Sequence, residues 1–158
     1  MLFKLKFAII ILMGAFAFSS CGGDGGDDGS NGTTSGGDGA AYTVYTAGYD
    51  SSGYACYWAG TAKTKLQTSE SYAGSIYVYN GTVYTAGRDS SGYACYWEGT
   101  TKTILDTSDG GAYSINVYNG TVYTAGVDSS GYACYWAGNT KTILGTSTGG
   151  YAYSIYVQ

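Results

Sequence analysis

The chain contains no histidine and no proline, and it has few charges, with 7 Lys and Arg against 11 Asp and Glu in 158 residues. The lack of histidine excludes both Ser-His-Asp and Cys-His catalysis. The lack of proline leaves the turns to Gly, Asn and Asp. The few basic residues form no stripe, which argues against nucleic acid as a partner.

Long apolar runs are also scarce, and the longest stands near the N-terminus. Lys4 and Lys6 precede an apolar stretch from Phe7 to Phe18, and small residues follow it. This order is typical of a secretory signal, and the stretch is too short to span ~30 Å of hydrocarbon as a helix. Because a cysteine follows Ser20, the segment resembles a bacterial lipoprotein signal. We predict a lipoprotein signal peptide at residues 1–20, with an ordinary signal peptide as the alternative.

Residues 21–41 are predicted to be a lipidated cysteine, Cys21, and a flexible linker. The stretch from Gly22 to Ala40 has nine glycines, four aspartates and no large apolar side chain, so burial cannot offset its ordering entropy. The resemblance implies several acyl chains on Cys21, palmitate among them, which would anchor the protein to a membrane firmly. The acidic linker resembles that of lipoproteins sent outward, so we expect a bacterial cell envelope location, at the outer membrane or cell surface.

Residues 42–158 are predicted to be one domain of three repeats. The segment YTAGYDSSGYACYW begins at Tyr45 and recurs with one change at Tyr84 and at Tyr123, so both steps are 39 residues. A fixed period in this range is typical of units that bury their apolar faces only by stacking on each other.

Each repeat contains four short segments rich in Val, Ile, Thr, Tyr and Trp, separated by Gly, Ser, Asp and Asn. In the middle copy they are TVYTAG from Thr82, YACYW from Tyr93, EGTTKTIL from Glu98 and YSINV from Tyr113. This pattern predicts antiparallel hairpins, and Asn80-Gly81 predicts a type I′ turn. We predict an all-β fold of three four-stranded repeats that resemble β-propeller blades, with a β-trefoil as the alternative.

The repeats also resemble bacterial extracellular repeat proteins of the HAF type. An aromatic strand with Ala94, Cys95 and Trp97 is followed by Thr103 and Leu105, and the other two copies have the same residues at the equivalent positions. This resemblance implies a propeller-like fold and brings no catalytic residue with it.

The phase of the repeat is informative, because closed propellers have about 4 to 8 blades and this sequence has three repeats. The first repeat opens on TVYTAG at Thr43, so no YSIYV-like strand precedes it as a partner. The last repeat ends with an extra strand, YSIYV from Tyr153. Complementary ends predict a head-to-tail homodimer that closes a ring. The near identity of the copies also fits a fragment of a longer propeller array.

Three cysteines and three aspartates recur, one of each per repeat: Cys56, Cys95, Cys134, Asp50, Asp89 and Asp128. We predict buried small side chains for the cysteines, with an intermolecular disulfide as the alternative. Each DSSG loop offers one acid, too few for calcium, so we predict aspartates that cap turns and no metal site. The recurrent lysines, Lys63, Lys102 and Lys141, are predicted to be solvated.

The acids leave one catalytic alternative, a pair of carboxylates for glycoside hydrolysis. They recur with the repeats or lie in turns, as Asp106 and Asp109 do. We therefore expect a protein that is not an enzyme and needs no cofactor.

Aromatic residues are abundant, with 19 Tyr and 3 Trp. We expect the tryptophans to fill interfaces between repeats, and tyrosines to offer half-exposed rings for sugars or proteins. Positions that vary between the copies form the predicted contact surface: Tyr49, Arg88, Val127, Ala59, Glu98 and Ala137. The predicted function is a lipid-anchored module that binds protein or glycan, with a self-assembling structural component as the alternative.

Overall fold

The structure is a computed structural model that describes residues 34–35 and 41–158, where every regular element is a β-strand. The predicted signal peptide, Cys21 and most of the linker lie outside the described residues. Two short strands, β1 (Thr34–Ser35) and β2 (Ala41–Tyr42), form an antiparallel pair within the predicted linker or at its edge. The described part of the chain has no helix that is long and apolar enough to cross a bilayer.

The remaining strands form three separate open sheets, one per repeat. The first sheet has β3 (Tyr45–Tyr49), β4 (Tyr54–Ala59) and β5 (Ala62–Glu70). The second has β6 (Tyr72–Tyr79), β7 (Thr82–Arg88), β8 (Tyr93–Glu98) and β9 (Thr101–Asp109). The third has β10 (Gly111–Tyr118), β11 (Thr121–Val127), β12 (Ala133–Ala137) and β13 (Thr140–Ile143). Within each sheet the strands are antiparallel and follow chain order, so the predicted all-β fold of hairpin-linked repeats is confirmed.

The turns between the first two strands of the second and third sheets have the predicted geometry. Asn80 and Asn119 have φ of 48° and 49°, and the glycines that follow them have φ of 79° and 76°. Positive φ at both central residues is the requirement of a type I′ turn, which matches the right-handed twist of the strands. Glycine takes this conformation without steric cost.

The phase of the repeat predicts that the first sheet lacks one strand, and the structure confirms this. The first sheet has three strands and the other two have four. Residues 151–158 belong to no sheet, yet the Ile155 N–H donates to Ser114 Oγ at 3.1 Å. The Ile115 N–H donates to Ser75 Oγ of β6 in the same way at 3.2 Å. Residues 151–158 thus lie beside β10 as β10 lies beside β6.

Two apolar clusters fill the spaces between consecutive sheets. Between the first and second sheets, Trp97 and Cys95 pack with Ala55 and Ala73. The corresponding Trp136 lies between the second and third sheets, and both indole rings are fully buried. The predicted role in filling interfaces is therefore confirmed for Trp97 and Trp136, each of which faces the preceding sheet, whereas Trp58 is only half-buried.

The TAG strands require glycine where the first strand of the same sheet crosses them. A Cβ added to Gly87 would lie 1.9 Å from the carbonyl oxygen of Tyr72, and one added to Gly126 would lie 1.9 Å from that of Gly111. No side chain fits at that distance, so these glycines allow β6 and β10 to pair with their neighbours.

Candidate functional site

The recurrent aspartates each hold a DSSG loop together. Asp89 Oδ1 accepts hydrogen bonds from the N–H groups of Ser91 and Tyr93, at 2.9 and 3.1 Å. Asp50 and Asp128 accept the equivalent bonds in their own loops. The predicted turn-capping role is confirmed, and the carboxyl groups are committed to the fold.

The recurrent lysines are exposed, as predicted, and they also pair with these aspartates, which was not predicted from the sequence. Lys102 Nζ lies 2.7 Å from Asp89 Oδ2, and the equivalent distances are 3.1 Å for Lys63 with Asp50 and 2.9 Å for Lys141 with Asp128. The Asp89 side chain is 4% exposed, and burial alone would raise its pKa. The bond from Lys102 and the two backbone bonds outweigh burial and lower the pKa below its usual value.

The six predicted contact positions lie at opposite ends of the sheets. The register places Tyr49, Arg88 and Val127 beside the DSSG loops, and Ala59, Glu98 and Ala137 at the far ends of the same hairpins. Antiparallel pairing causes this division, because the first three end one strand and the others end the next. The six therefore form no single surface.

Individual positions also differ from the prediction. Val127 is buried, so its predicted exposure was wrong. At the far end, Glu98 is exposed and accepts a hydrogen bond from the Tyr84 hydroxyl at 2.9 Å. Tyr49 is 65% exposed, and Arg88 is half-buried. Tyr49 and Arg88 are thus the two candidates that meet at one site.

An open cleft of about 510 Å³ lies between the first and second sheets at the end that carries the DSSG loops. Its lining includes Tyr49 and Glu70 from the first sheet, and Tyr72, Arg88 and Ser90 from the second sheet and its DSSG loop. A smaller cleft of about 280 Å³ occupies the equivalent place between the second and third sheets, and Arg88 lines it as well. We call the larger one the tyrosine cleft.

Most polar groups in the tyrosine cleft already have partners. The Ser71 hydroxyl accepts from the Ala55 N–H and donates to the Ser69 carbonyl, and Ser90 Oγ accepts from Gln67. By contrast, Glu70 is exposed and takes part in none of the ion pairs of the described residues. The cleft therefore offers a ligand a carboxylate and a tyrosine ring.

Arg88 is held in place at the edge of the cleft. Its Nε donates to the carbonyl of Gly92 at 2.9 Å, and its guanidinium pairs with Asp109. These contacts fix the plane of the guanidinium, which leaves its remaining N–H groups oriented for an acceptor on a ligand.

A tyrosine cluster joins β10, the first strand of the third sheet, to residues 151–158. The Tyr113 ring lies 6.2 Å from Tyr151 and 5.4 Å from Tyr153, and those two stack at 5.8 Å. Burial, with Tyr113 nearby, raises the pKa of Tyr72 to about 12. The Tyr72 hydroxyl therefore stays protonated at neutral pH and can donate to a ligand.

These tyrosines were missed as site residues, although the sequence carries a signal for them. Tyr72 and Gly74 in the second sheet exchange places with Gly111 and Tyr113 in the third. A Cβ at Gly74 would lie 2.9 Å from the Tyr72 hydroxyl, and one at Gly111 would lie 2.9 Å from that of Tyr113. Each ring therefore lies over the glycine of its own strand.

The recurrent cysteines take no part in a site. Cys56, Cys95 and Cys134 are free thiols with no exposed surface, as predicted. Burial raises the pKa of all three, to about 12 for Cys134, so the reactive thiolate is suppressed. No metal-binding group of three or more Cys, Asp or Glu side chains occurs in the described ranges.

No protein-family model matches this chain, and no curated protein matches it in sequence. The functional conclusion therefore depends on the residues and their geometry.

Proposed function

We propose that the chain is a lipid-anchored protein of the bacterial cell envelope whose repeat domain binds a glycan in the tyrosine cleft without transforming it. The anchor is the lipoprotein signal ending at Ser20, with Cys21 as the acylated residue. The sheets are proposed to be propeller-like blades, because each repeat forms its own open sheet and consecutive sheets stack through apolar faces.

The observation that carries the proposal is the composition of the tyrosine cleft. It combines an exposed ring at Tyr49 with the carboxylate of Glu70 and the fixed guanidinium of Arg88. Flat apolar rings stack on sugar faces, and charged hydrogen-bonding groups read sugar hydroxyls. The volume lies within the usual range for ligand sites, about 300 to 1,000 Å³. A concave, partly charged site of this size favours a glycan over a flat protein surface.

Binding is tested with the full chain on a glycan array, followed by titration of each glycan that binds. We expect Tyr49→Ala and Arg88→Ala to weaken binding about tenfold or more. Tyr118→Ala is the matched control, because Tyr118 is 40% exposed but lies beside the turn at the opposite end of the third sheet. Failure of every glycan to bind, or equal losses in all three variants, would refute the proposed site.

The absence of catalysis needs its own measurement. Incubation of the bound glycan with the chain should release no product. Product release that disappears in Glu70→Gln would replace the binding proposal with a hydrolase.

The anchor is tested by labelling cells with a palmitate analogue. We expect incorporation into the wild type and into Cys134→Ser, and none into Cys21→Ser. Label retained in Cys21→Ser would contradict lipidation at that residue.

A further inference from the structure

The exposed surface of the first sheet differs from that of its two counterparts. Val44 is 50% exposed, whereas Val83 and Val122 at the equivalent positions are 8% and 9% exposed. Thr46 is exposed, whereas its counterparts in the other sheets are fully buried. Trp58 is half-buried, although the other two tryptophans are fully buried. In the second and third sheets this surface is covered by the first strand of the sheet and by the preceding sheet.

Gly48 indicates what the first sheet lacks. Its counterparts, Gly87 and Gly126, make room for a carbonyl oxygen of the neighbouring strand. A Cβ on Gly48 would meet only the Trp58 ring, at 3.5 Å, which is an ordinary contact. Among the described residues, β3 pairs only with β4. The glycine therefore keeps open a place for a strand backbone that the described part of the chain does not supply.

Residues 151–158 have the sequence of that strand. Ser154 and Ile155 match Ser75 and Ile76 of β6. The segment also makes a hydrogen bond to Ser114 that is equivalent to the bond from β10 to Ser75. Transferring the register of β6 on β7 would place Ala152 opposite Gly48 and Val157 opposite Val44. The exposed rings at Tyr153 and Tyr156, 69% and 77% exposed, show how little of the segment is covered.

The last sheet carries the complementary face. Ala55 and Ala94 are fully buried under the next sheet, whereas Ala133 at the equivalent position is half-buried. Leu144 next to β13 is 57% exposed. This free face of the third sheet is complementary to the uncovered face of the first sheet that carries Trp58. The equivalent two faces pack against each other at both interfaces within the chain.

We propose that a second copy of this chain completes the first sheet: its residues 151–158 pair with the free edge of β3, and its third sheet covers Trp58. The contact continues an interface that the chain already forms twice. Each copy offers one edge and one segment, so the association is head-to-tail. It goes beyond glycan binding and does not depend on it.

The test is the mass of the full chain in mild detergent, measured by sedimentation equilibrium. We expect the wild type to contain two or more chains and Gly48→Ala to dissociate with a constant about tenfold or more higher, since its Cβ would meet the incoming backbone. Gly145→Ala is the control, because the equivalent positions hold Gln67 and Asp106 and a side chain fits there. A wild type that is a single chain at high concentration would overturn the proposal, as would equal masses for the two variants.

Two further experiments keep the test decisive if Gly48→Ala folds poorly. Asp106 Oδ2 lies 3.1 Å from Lys141 of the next sheet, so Gly145→Asp should pair with Lys63 of the second copy. We expect it to tighten association about two- to fivefold. In addition, chains with Val44→Cys should form a disulfide with chains carrying Val157→Cys, and not with chains carrying Tyr156→Cys, which would face the other way. The absence of both effects would contradict the proposed register.

Discussion

A single aspartate in each repeat joins a loop to a strand. Asp89 caps the loop with one carboxylate oxygen and pairs with Lys102 through the other. Of the two partners only the carboxylate is buried, since the Asp89 side chain is 4% exposed and the Lys102 side chain is 34% exposed. Because all three interactions favour the ionised form, the carboxylate must stay charged for the loop to remain closed.

The first prediction concerns acid. The pKa values of Asp89 and Asp128 are lowered in the folded chain, although burial opposes this, because lysine and backbone bonds stabilise the carboxylates. Their stabilisation is therefore present above the ordinary carboxyl pKa of about 3.9 and is lost as the pH falls through the lower folded values. We expect the melting temperature to drop below about pH 4, and Asp89→Asn to have a shallower acid limb. Melting curves across pH check this, and an acid limb unchanged by Asp89→Asn would contradict it.

The second prediction concerns a buried hydroxyl. Thr85 Oγ1 is buried and has no hydrogen-bond partner among the described residues. Thr85→Val removes a buried hydroxyl that makes no hydrogen bond. We therefore expect the free energy of unfolding to stay unchanged or to rise by up to about 1 kcal/mol. Chemical denaturation measures the change, with Thr46→Val on the exposed strand as the control. A loss greater than about 1 kcal/mol would reveal a partner for the hydroxyl.

At the scale of the element, two glycines that follow the same three residues in sequence have different surroundings in the structure. Gly87 lies under the crossing backbone of Tyr72, whereas Gly48 has only the Trp58 ring within reach of a Cβ. The difference is not in the strand itself, since both belong to YTAG segments. It comes from the presence or absence of a first strand in the sheet.

The third prediction uses this difference. Gly87→Ala should lower the free energy of unfolding by about 2 kcal/mol or more, because the backbone of β6 must move. In dilute solution, where chains are separate, Gly48→Ala should change it little. Urea unfolding of both variants makes the comparison, and equal losses would show that β3 is covered within one chain.

Strands and turns were predictable because they depend on neighbouring residues. Alternating β-forming residues predicted the strands. Asn80-Gly81 predicted a type I′ turn, and the positive φ angles of both residues confirm it. The pair of Asp89 with Lys102 was not predicted, since it needs the register of β8 on β9 to bring together residues 13 apart. The burial of Val127 was missed for a similar reason. Variation between copies indicates exposure, but packing between sheets decides it.

At the scale of the whole molecule, the repeat makes the same interface twice and leaves one half of that interface free on the first sheet and the other half free on the third. Trp97 and Trp136 fill the interface inside the chain, and Trp58 presents the same face unfilled. Two chains joined at both ends would present six sheets, three from each, which falls within the usual range of about 4 to 8 blades. Such a ring would also place two tyrosine clefts on one rim, and two sites on a single body raise avidity for a polymeric ligand.

Hydrogen exchange of β3 in the full chain tests most directly whether a second copy completes the first sheet. The amides of Tyr45–Tyr49 that do not bond to β4 should exchange slowly at high concentration, as we also expect for those of Thr82–Arg88, and quickly on dilution or in Gly48→Ala. Rapid exchange of these amides at every concentration would contradict the completed sheet, and so would slow exchange that persists in Gly48→Ala.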